Sequence, residues 1–126
     1  MKKILLVLVA LFCMIGLTSC NKYEDYAGTY ELYYMSGDLS VSMYDYYRIT
    51  LSANGKCLVE SKGAGNSQTY ESEGTFDIEG DVIKIYTKYG LSTITETYDY
   101  INGEIHMVNQ SVSGYTFTAK FRRNSQ

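Results

Sequence analysis

The sequence contains no proline, no tryptophan and a single histidine among its 126 residues. The sequence lacks the usual motifs for metal binding and catalysis. No cysteines and histidines are spaced as metal ligands, and neither a Gly-Lys-Ser phosphate loop nor a serine in a nucleophile elbow occurs. His106 alternates away from apolar Ile105 and Met107, so we expect it on an exposed strand face. The sequence therefore predicts a protein that is not an enzyme and that holds no metal and no cofactor.

The first 19 residues have the layout of an export signal. Lys2 and Lys3 are followed by an almost unbroken apolar run over residues 4–17, and small residues precede Cys20. The run is too short for a comfortable membrane span. Leu17-Thr18-Ser19-Cys20 resembles the lipobox of bacterial lipoproteins, which implies that Cys20 receives a diacylglyceryl group and becomes the first residue after cleavage. The alternative is a cleaved secretory signal with an incidental cysteine.

That resemblance implies a location and a membrane partner. The protein would be anchored by lipid on Cys20 in the bacterial cell membrane or outer membrane, facing the periplasm or the exterior. Residues 20–26 would form a short polar tether that reaches roughly 10–15 Å. The domain would then lie close to the bilayer surface.

The remaining chain, residues 20–126, has the size of one domain. Without Lys2 and Lys3, nine of the 11 basic side chains remain against 14 acidic ones, a formal net charge of −5 that argues against nucleic acid as a partner. Cys13 leaves with the signal and Cys20 is acylated, so Cys57 has no cysteine with which to form an intramolecular disulfide. We interpret Cys57 as a small buried residue rather than a reactive thiol.

Alternation with a period of two predicts eight strands and no helix. Abundant Val, Ile, Thr and Tyr also favour strands, and Asn54-Gly55 is a strong hairpin signal because both residues tolerate positive φ. The predicted strands cover residues 27–35, 44–52, 56–62, 68–78, 81–88, 91–101 and 104–110, with a last one beginning at Tyr115. Eight strands joined mostly by short turns predict an all-β, antiparallel up-and-down barrel over residues 27–123; a two-sheet sandwich is the alternative.

Short motifs carry a second resemblance, to lipocalin-like domains found as small bacterial lipoproteins. They are Gly28-Thr29-Tyr30, Leu51-Ser52-Ala53-Asn54-Gly55, Gly74-Thr75-Phe76 and Phe121-Arg122-Arg123. Lipocalins have tryptophan where Tyr30 stands and a basic residue that packs across it from the last strand. The resemblance implies that Tyr30 and Arg123 close the barrel, since Arg123 has the inward parity and Arg122 does not.

One acidic residue breaks the polar and apolar alternation. Glu96 shares parity with Ile94, Tyr98 and Tyr100, so an unbroken strand would direct its carboxylate into the barrel. A buried carboxylate needs partners, and we expect Glu96, Tyr98, Tyr47 and Asn109 to be the polar groups of a mostly apolar ligand pocket. The alternatives are a hydrated position at the barrel mouth or a bulge that turns Glu96 outward.

Two functions remain open. In one, the barrel binds a small lipophilic ligand, in a hollow left by Ser61, Ser72, Gly74 and Ala119. In the other, side chains fill the barrel, and loops 36–43 and 63–67 contact another envelope protein. An eight-stranded barrel is just wide enough for either outcome. The aromatic residues expected inside, which favour the filled core, are Tyr30, Tyr34, Tyr47, Tyr70, Tyr98, Tyr100, Tyr115, Phe76, Phe117 and Phe121.

Overall fold

Eight antiparallel strands close into a barrel in the order β1 to β8, as predicted, in the computed structural model, which describes residues 22–124. The predicted export signal and Cys20 lie outside these residues. The strands are β1 Gly28–Gly37, β2 Tyr44–Leu51, β3 Lys56–Gly63, β4 Thr69–Glu79, β5 Val82–Tyr89, β6 Ser92–Ile101, β7 Glu104–Val112 and β8 Tyr115–Arg123. Single-turn 3₁₀ helices cover Glu24–Tyr26 and Val41–Met43. Within residues 22–124, no helix is long and apolar enough to span a membrane.

Tight turns set the register of the hairpins. Asn54-Gly55 turns the chain between β2 and β3, with Gly55 at φ 89° and the Ser52 amide donating to the Lys56 carbonyl at 2.9 Å. Asn102 and Gly103 both have positive φ between β6 and β7, as a two-residue hairpin turn requires. The first of these turns confirms the hairpin predicted from Asn54-Gly55.

The core is the inward face of the barrel. β5 shows the alternation plainly, because Ile83, Ile85 and Thr87 are buried while their neighbours are not. The largest fully buried side chains are Tyr30, Ile49, Leu51, Ile83, Ile105 and Phe121. Tyr30 and Phe121 were predicted to face inward, so the parity derived from the period of two is confirmed for them.

A bulge in β1 overturns one predicted orientation. The pairing of β1 with β8 shifts between Leu32 and Tyr34. The extra residue reverses the parity of the rest of the strand, so Met35 is buried and Tyr34 is exposed, with its ring 4.8 Å from Lys120 Nζ. The prediction that Tyr34 lies in the barrel was therefore wrong.

The two ends of the barrel differ. We call the end that carries the turns after β2, β4 and β6, and the start of β1, the base; the opposite end, with the turns after β1, β3, β5 and β7, is the mouth. At the base, the Tyr30 hydroxyl lies 2.7 Å from both the Tyr26 carbonyl oxygen and the Tyr100 hydroxyl. Arg123 donates from Nη1 to the carbonyls of Asp25 and Ala27. Side chains and backbone thus seal the base.

Residues 22–26, predicted as a polar tether, are packed on this base. Lys22 Nζ lies 2.8 Å from Asp77 Oδ1, and the Tyr23 ring meets Phe76 edge-on at a centroid distance of 5.1 Å. Tyr26 packs in the same way on Tyr100. The sequence missed these contacts because they join residues about 50 to 75 positions apart.

The barrel wall is open between the mouth-side halves of β6 and β7. These strands pair only over residues 99–101 opposite residues 104–106. Toward the mouth, β6 pairs with β5 alone and β7 with β8 alone within the described barrel. Consistent with this slit, residues 92–97 of β6 are all exposed.

Candidate functional site

The barrel interior contains a cavity of about 310 Å³ at its mouth end. Its wall draws on strands β2 to β8, because inward-facing residues of all these strands reach it. The apolar side chains that line the cavity include Ile49, Val59, Ile85, Met107 and Phe117. The predicted core is therefore filled at the base and hollow toward the mouth.

Polar groups gather at the open side of this cavity. Four tyrosines line it: Tyr47, Tyr70, Tyr89 and Tyr98. Tyr98 is buried, whereas Tyr70 and Tyr89 are about half exposed at the rim, where their hydroxyl oxygens lie 3.0 Å apart. Among the described residues that line the cavity, Glu96 alone carries a formal charge at neutral pH. The cavity therefore has Tyr70, Tyr89 and Glu96 exposed at its opening and Tyr98 buried among the apolar side chains inside.

Burial and the negative charge of Glu96 both affect the pKa values of acidic side chains near it. Burial, and then the negative charge of Glu96, raises the pKa of the Tyr98 phenol well above its usual range. The same two causes raise the pKa of the Cys57 thiol to about 12. Burial, followed by the effects of Tyr44 and Glu96, raises the pKa of Tyr47. These inner groups remain neutral at physiological pH, so they are hydrogen-bonding or apolar groups and not nucleophiles.

Glu96 itself is exposed although it faces the cavity. The cause is the slit beside β6, which leaves the cavity-lining carboxylate open to water. Glu96 is hydrated, but it pairs with Ile85 midway along both strands, so the slit and not a position at the mouth exposes it. Its carboxylate needs no buried counter-ion, and it remains accessible to a ligand that enters by the mouth or the slit.

Three of the four residues predicted for the ligand pocket line the cavity, and one does not. Glu96, Tyr98 and Tyr47 are brought together, whereas Asn109 is exposed on the outside and Gln110 lines the cavity in its place. A bulge between Met107 and Gln110 is the cause. Asn109 adopts φ 50° there, and its backbone N–H donates to Thr118 Oγ1 at 3.1 Å.

Signals for the missing members of the site were weak in the sequence. Asparagine is one of the few residue types that readily adopt positive φ. An asparagine at position 109 could therefore have pointed to a bulge. Tyr89 was assigned to a turn beside Gly90, yet β5 extends through it and directs its ring to the mouth. Strand ends and bulges both depend on the neighbouring strand, which local alternation does not report.

A larger depression, of about 560 Å³, lies on the outer wall. Outward-facing residues of β3 to β6 line it, including Lys56, Glu73 and Lys88, which are exposed. It lies beside Gly74, where a Cβ would stand 2.0 Å from the Tyr86 carbonyl oxygen, so only glycine fits. The depression is more open than the interior cavity and lies outside the barrel, so we place the candidate site in the interior cavity.

The lipocalin-like pairing at the base is present in the structure. Tyr30 lies opposite Arg123 in the register of β1 and β8, and Arg123 Cζ is 5.4 Å from the Tyr30 ring centroid. Arg122 lies on the other face, over Tyr33. These residues close the barrel and do not line the cavity.

Within residues 22–124, no three His, Cys, Asp or Glu side chains are grouped so that they could hold a metal ion. Comparison with models of known protein families and with characterised proteins finds no match for the chain.

Proposed function

We propose that this protein is a lipid-anchored bacterial envelope lipoprotein whose barrel binds one small lipophilic ligand. The observation that carries the proposal is the interior cavity, whose lining combines apolar Ile49, Ile85 and Phe117 with the polar groups of Glu96 and Tyr98. Small-molecule sites typically combine apolar walls with a few placed polar groups that orient the ligand. A barrel that served only as a scaffold would have no need of such a hollow.

The size of the cavity limits the ligand. Its volume of about 310 Å³ is at the lower end of the range of about 300–1,000 Å³ for ligand sites. One compact molecule fits, or the apolar end of a longer one. The slit between β6 and β7 supplies a lateral opening through which the rest of a longer ligand would protrude.

The proposed anchor orients the barrel. Lys22, which lies two positions after Cys20, is already packed against Asp77 at the base. With so short a connection, a lipid on Cys20 would hold the base against the bilayer. The mouth would then face away from the membrane, so the cavity would exchange its ligand with the aqueous side.

A thermal-shift screen tests ligand binding. Fatty acids, isoprenoids, sterols and haem-type compounds form the first panel. A ligand that binds only the folded state adds about 2.7 kcal/mol of stability at 100 times its Kd, which raises the Tm of a domain of this size by roughly 4–8 °C per kcal/mol.

A matched pair of variants locates the binding. Val112 lines the cavity at its rim, whereas Val108 does not line it, and both are exposed. Val112→Trp should therefore abolish a shift that Val108→Trp preserves. No shift with any compound, or equal loss in both variants, would contradict binding in the barrel.

The anchor has its own test. Cys20→Ala should abolish incorporation of radiolabelled palmitate and membrane attachment, and it should leave a folded soluble barrel because the substitution lies outside the strands. A mutant that still incorporated palmitate would contradict the assignment of Cys20.

Exposed apolar side chains favour a second candidate function, as a contact module for another envelope protein. Leu91, Val41, Met43 and Tyr115 are all exposed in or beside three turns at the mouth, where a protein partner could cover them. If this is the function, Leu91→Asp should abolish cross-linking to a defined envelope partner. Ile101→Asp, at the base, should leave the cross-link intact.

A further inference from the structure

We infer that the cavity selects organic cations: a protonated amine or quaternary ammonium group would lie beside Glu96, with the apolar remainder of the molecule in the barrel. This inference rests on the proposed function, since it requires a ligand in the cavity. It adds the chemical class of that ligand, which the fold alone does not specify.

The charge distribution is the first observation. Glu96 is the one formally charged residue among the described residues that line the cavity, and no lysine or arginine lines it. Lys62, at the mouth end of β3, forms an ion pair with Asp45. An anionic headgroup would therefore meet a carboxylate without a compensating cation, whereas a cationic headgroup would pair with it.

The aromatic composition is the second observation, and it is independent of the charge. Tyr47, Tyr70, Tyr89 and Tyr98 all line the same cavity as Glu96. The negative face of an aromatic ring attracts cations, and groups of such rings recognise quaternary ammonium ligands. The Tyr70 and Tyr89 hydroxyls are within hydrogen-bonding distance of each other, so their rings can offer a face to the ligand without leaving these hydroxyls unpaired.

The remaining lining supports an amphiphile rather than a small inorganic cation. Ile49, Val59 and Met107 extend the cavity inward from the charged opening. Burial of an alkyl or aryl group there contributes roughly 25 cal/mol per Å² of apolar surface. A hydrated metal ion would gain nothing from this part of the cavity, whereas an alkylamine would.

Three probes with the same eight-carbon chain test the inference: octylamine, octan-1-ol and octanoate. Isothermal titration calorimetry of the purified protein at pH 7 should give the tightest binding for octylamine, which is protonated at this pH, and the weakest for octanoate. Glu96→Gln keeps the shape and removes the charge. It should weaken octylamine binding by roughly two- to fivefold, the range of an exposed ion pair, and it should leave octanol binding unchanged.

The control is Glu71→Gln, on the outward face of β4. Glu71 is exposed and does not line the cavity, so this variant removes the same charge from the molecule without changing the site. It should bind all three probes as the wild type does. If Glu71→Gln weakened octylamine binding as much as Glu96→Gln, the effect would be one of net charge and the inference would be overturned.

The outcomes separate this inference from the proposed function. Equal affinity for the three probes, or a preference for octanoate, would overturn cation selection while leaving a lipophilic site in the barrel. Absence of binding by all three probes would also overturn the inference, and the proposed function would then be decided by the wider screen with Val112→Trp and Val108→Trp.

Discussion

Arg123 lies across the ring of Tyr30 at the base of the barrel, with Cζ 5.4 Å from the ring centroid and Nη1 donating to the carbonyls of Asp25 and Ala27. One residue earlier, Arg122 covers Tyr33 on the opposite face at 4.3 Å. Two adjacent arginines therefore have different roles, because successive side chains of a strand point to opposite faces.

Replacing each arginine in turn separates these roles. Arg123→Met removes the charge-assisted hydrogen bonds that hold the N-terminal segment on the base. We expect the free energy of unfolding to fall by about 2–3 kcal/mol. Arg122→Met removes one exposed cation–π contact and should cost about 1 kcal/mol or less. Urea titration of both variants measures the difference. Equal losses would show that the base is not closed by Arg123.

Phe121→Ala should be among the more damaging single substitutions. Phe121 is fully buried, and its ring lies 5.0 Å from that of Tyr47. Large-to-small changes of this kind typically cost about 3–5 kcal/mol. Thr97→Ala, at an exposed position of β6, is the control and should stay within about 0.5 kcal/mol.

Thr118→Ala should fall between these two. Its Oγ1 accepts a hydrogen bond from the backbone N–H of Asn109 in the β7 bulge. Removal of this hydrogen bond should lower the free energy of unfolding by about 1 kcal/mol. If the denaturation midpoints of Phe121→Ala and Thr97→Ala were alike, the inward orientation of Phe121 would be contradicted.

Cys57 should resist thiol reagents in the folded protein. It is buried, and burial followed by the charge of Glu96 raises its pKa to about 12. The thiolate is the reactive form, so very little of it exists at pH 8. We expect negligible reaction with a chromogenic disulfide under native conditions and stoichiometric reaction in concentrated urea. Rapid native labelling would contradict the buried position.

Alkaline pH should destabilise the barrel. Burial raises the pKa of the Tyr30, Tyr47 and Tyr98 phenols and of the Cys57 thiol. In the unfolded chain these groups titrate near their ordinary values of 10.0 and 9.0. Their contribution is therefore fully present below about pH 9 and is lost as the pH rises toward 12, by up to about 1.4 kcal/mol per pH unit for each group.

Urea titrations at pH 7.5, 9 and 10.5 measure this loss. The free energy of unfolding should be nearly constant over the first interval and should fall over the second. A Tyr98→Phe variant has one fewer buried phenol to ionise and should lose stability less steeply above pH 9. Equal stability of the wild type at pH 7.5 and 10.5 would contradict the burial of these acids.

The proposed orientation on the membrane is open to a depth measurement. Strands of about nine residues, tilted as in barrels, separate base and mouth by roughly 20–25 Å. A fluorophore on Asn54→Cys, at a base turn, should be quenched by quenchers in the lipid headgroups when the acylated protein is bound to vesicles. The same fluorophore on Leu91→Cys, at the mouth, should be quenched little. The reverse pattern would place the mouth at the membrane.

The sequence by itself determined the fold class and most of the interior. Alternation with a period of two, interrupted by pairs such as Asn54-Gly55 and Asn102-Gly103, specifies strands and hairpins locally. Once one face is apolar, it also specifies which residues face inward, and Tyr30, Ile105 and Phe121 are buried as predicted. The tyrosine and glutamate composition of the candidate site was visible in the same way, through the shared parity of Glu96 and Tyr98.

Only the tertiary structure decided where that parity is reversed and where the barrel is hollow. The bulges that expose Tyr34 and replace Asn109 by Gln110 depend on how β8 pairs with both of its neighbours, and a single inserted residue moves every later side chain to the other face. The cavity and the slit depend on the divergence of β6 from β7, and the sealed base depends on Arg123 meeting the backbone of Asp25. Each is a contact or a gap between segments distant in the chain, and local periodicity carries no information about such distances.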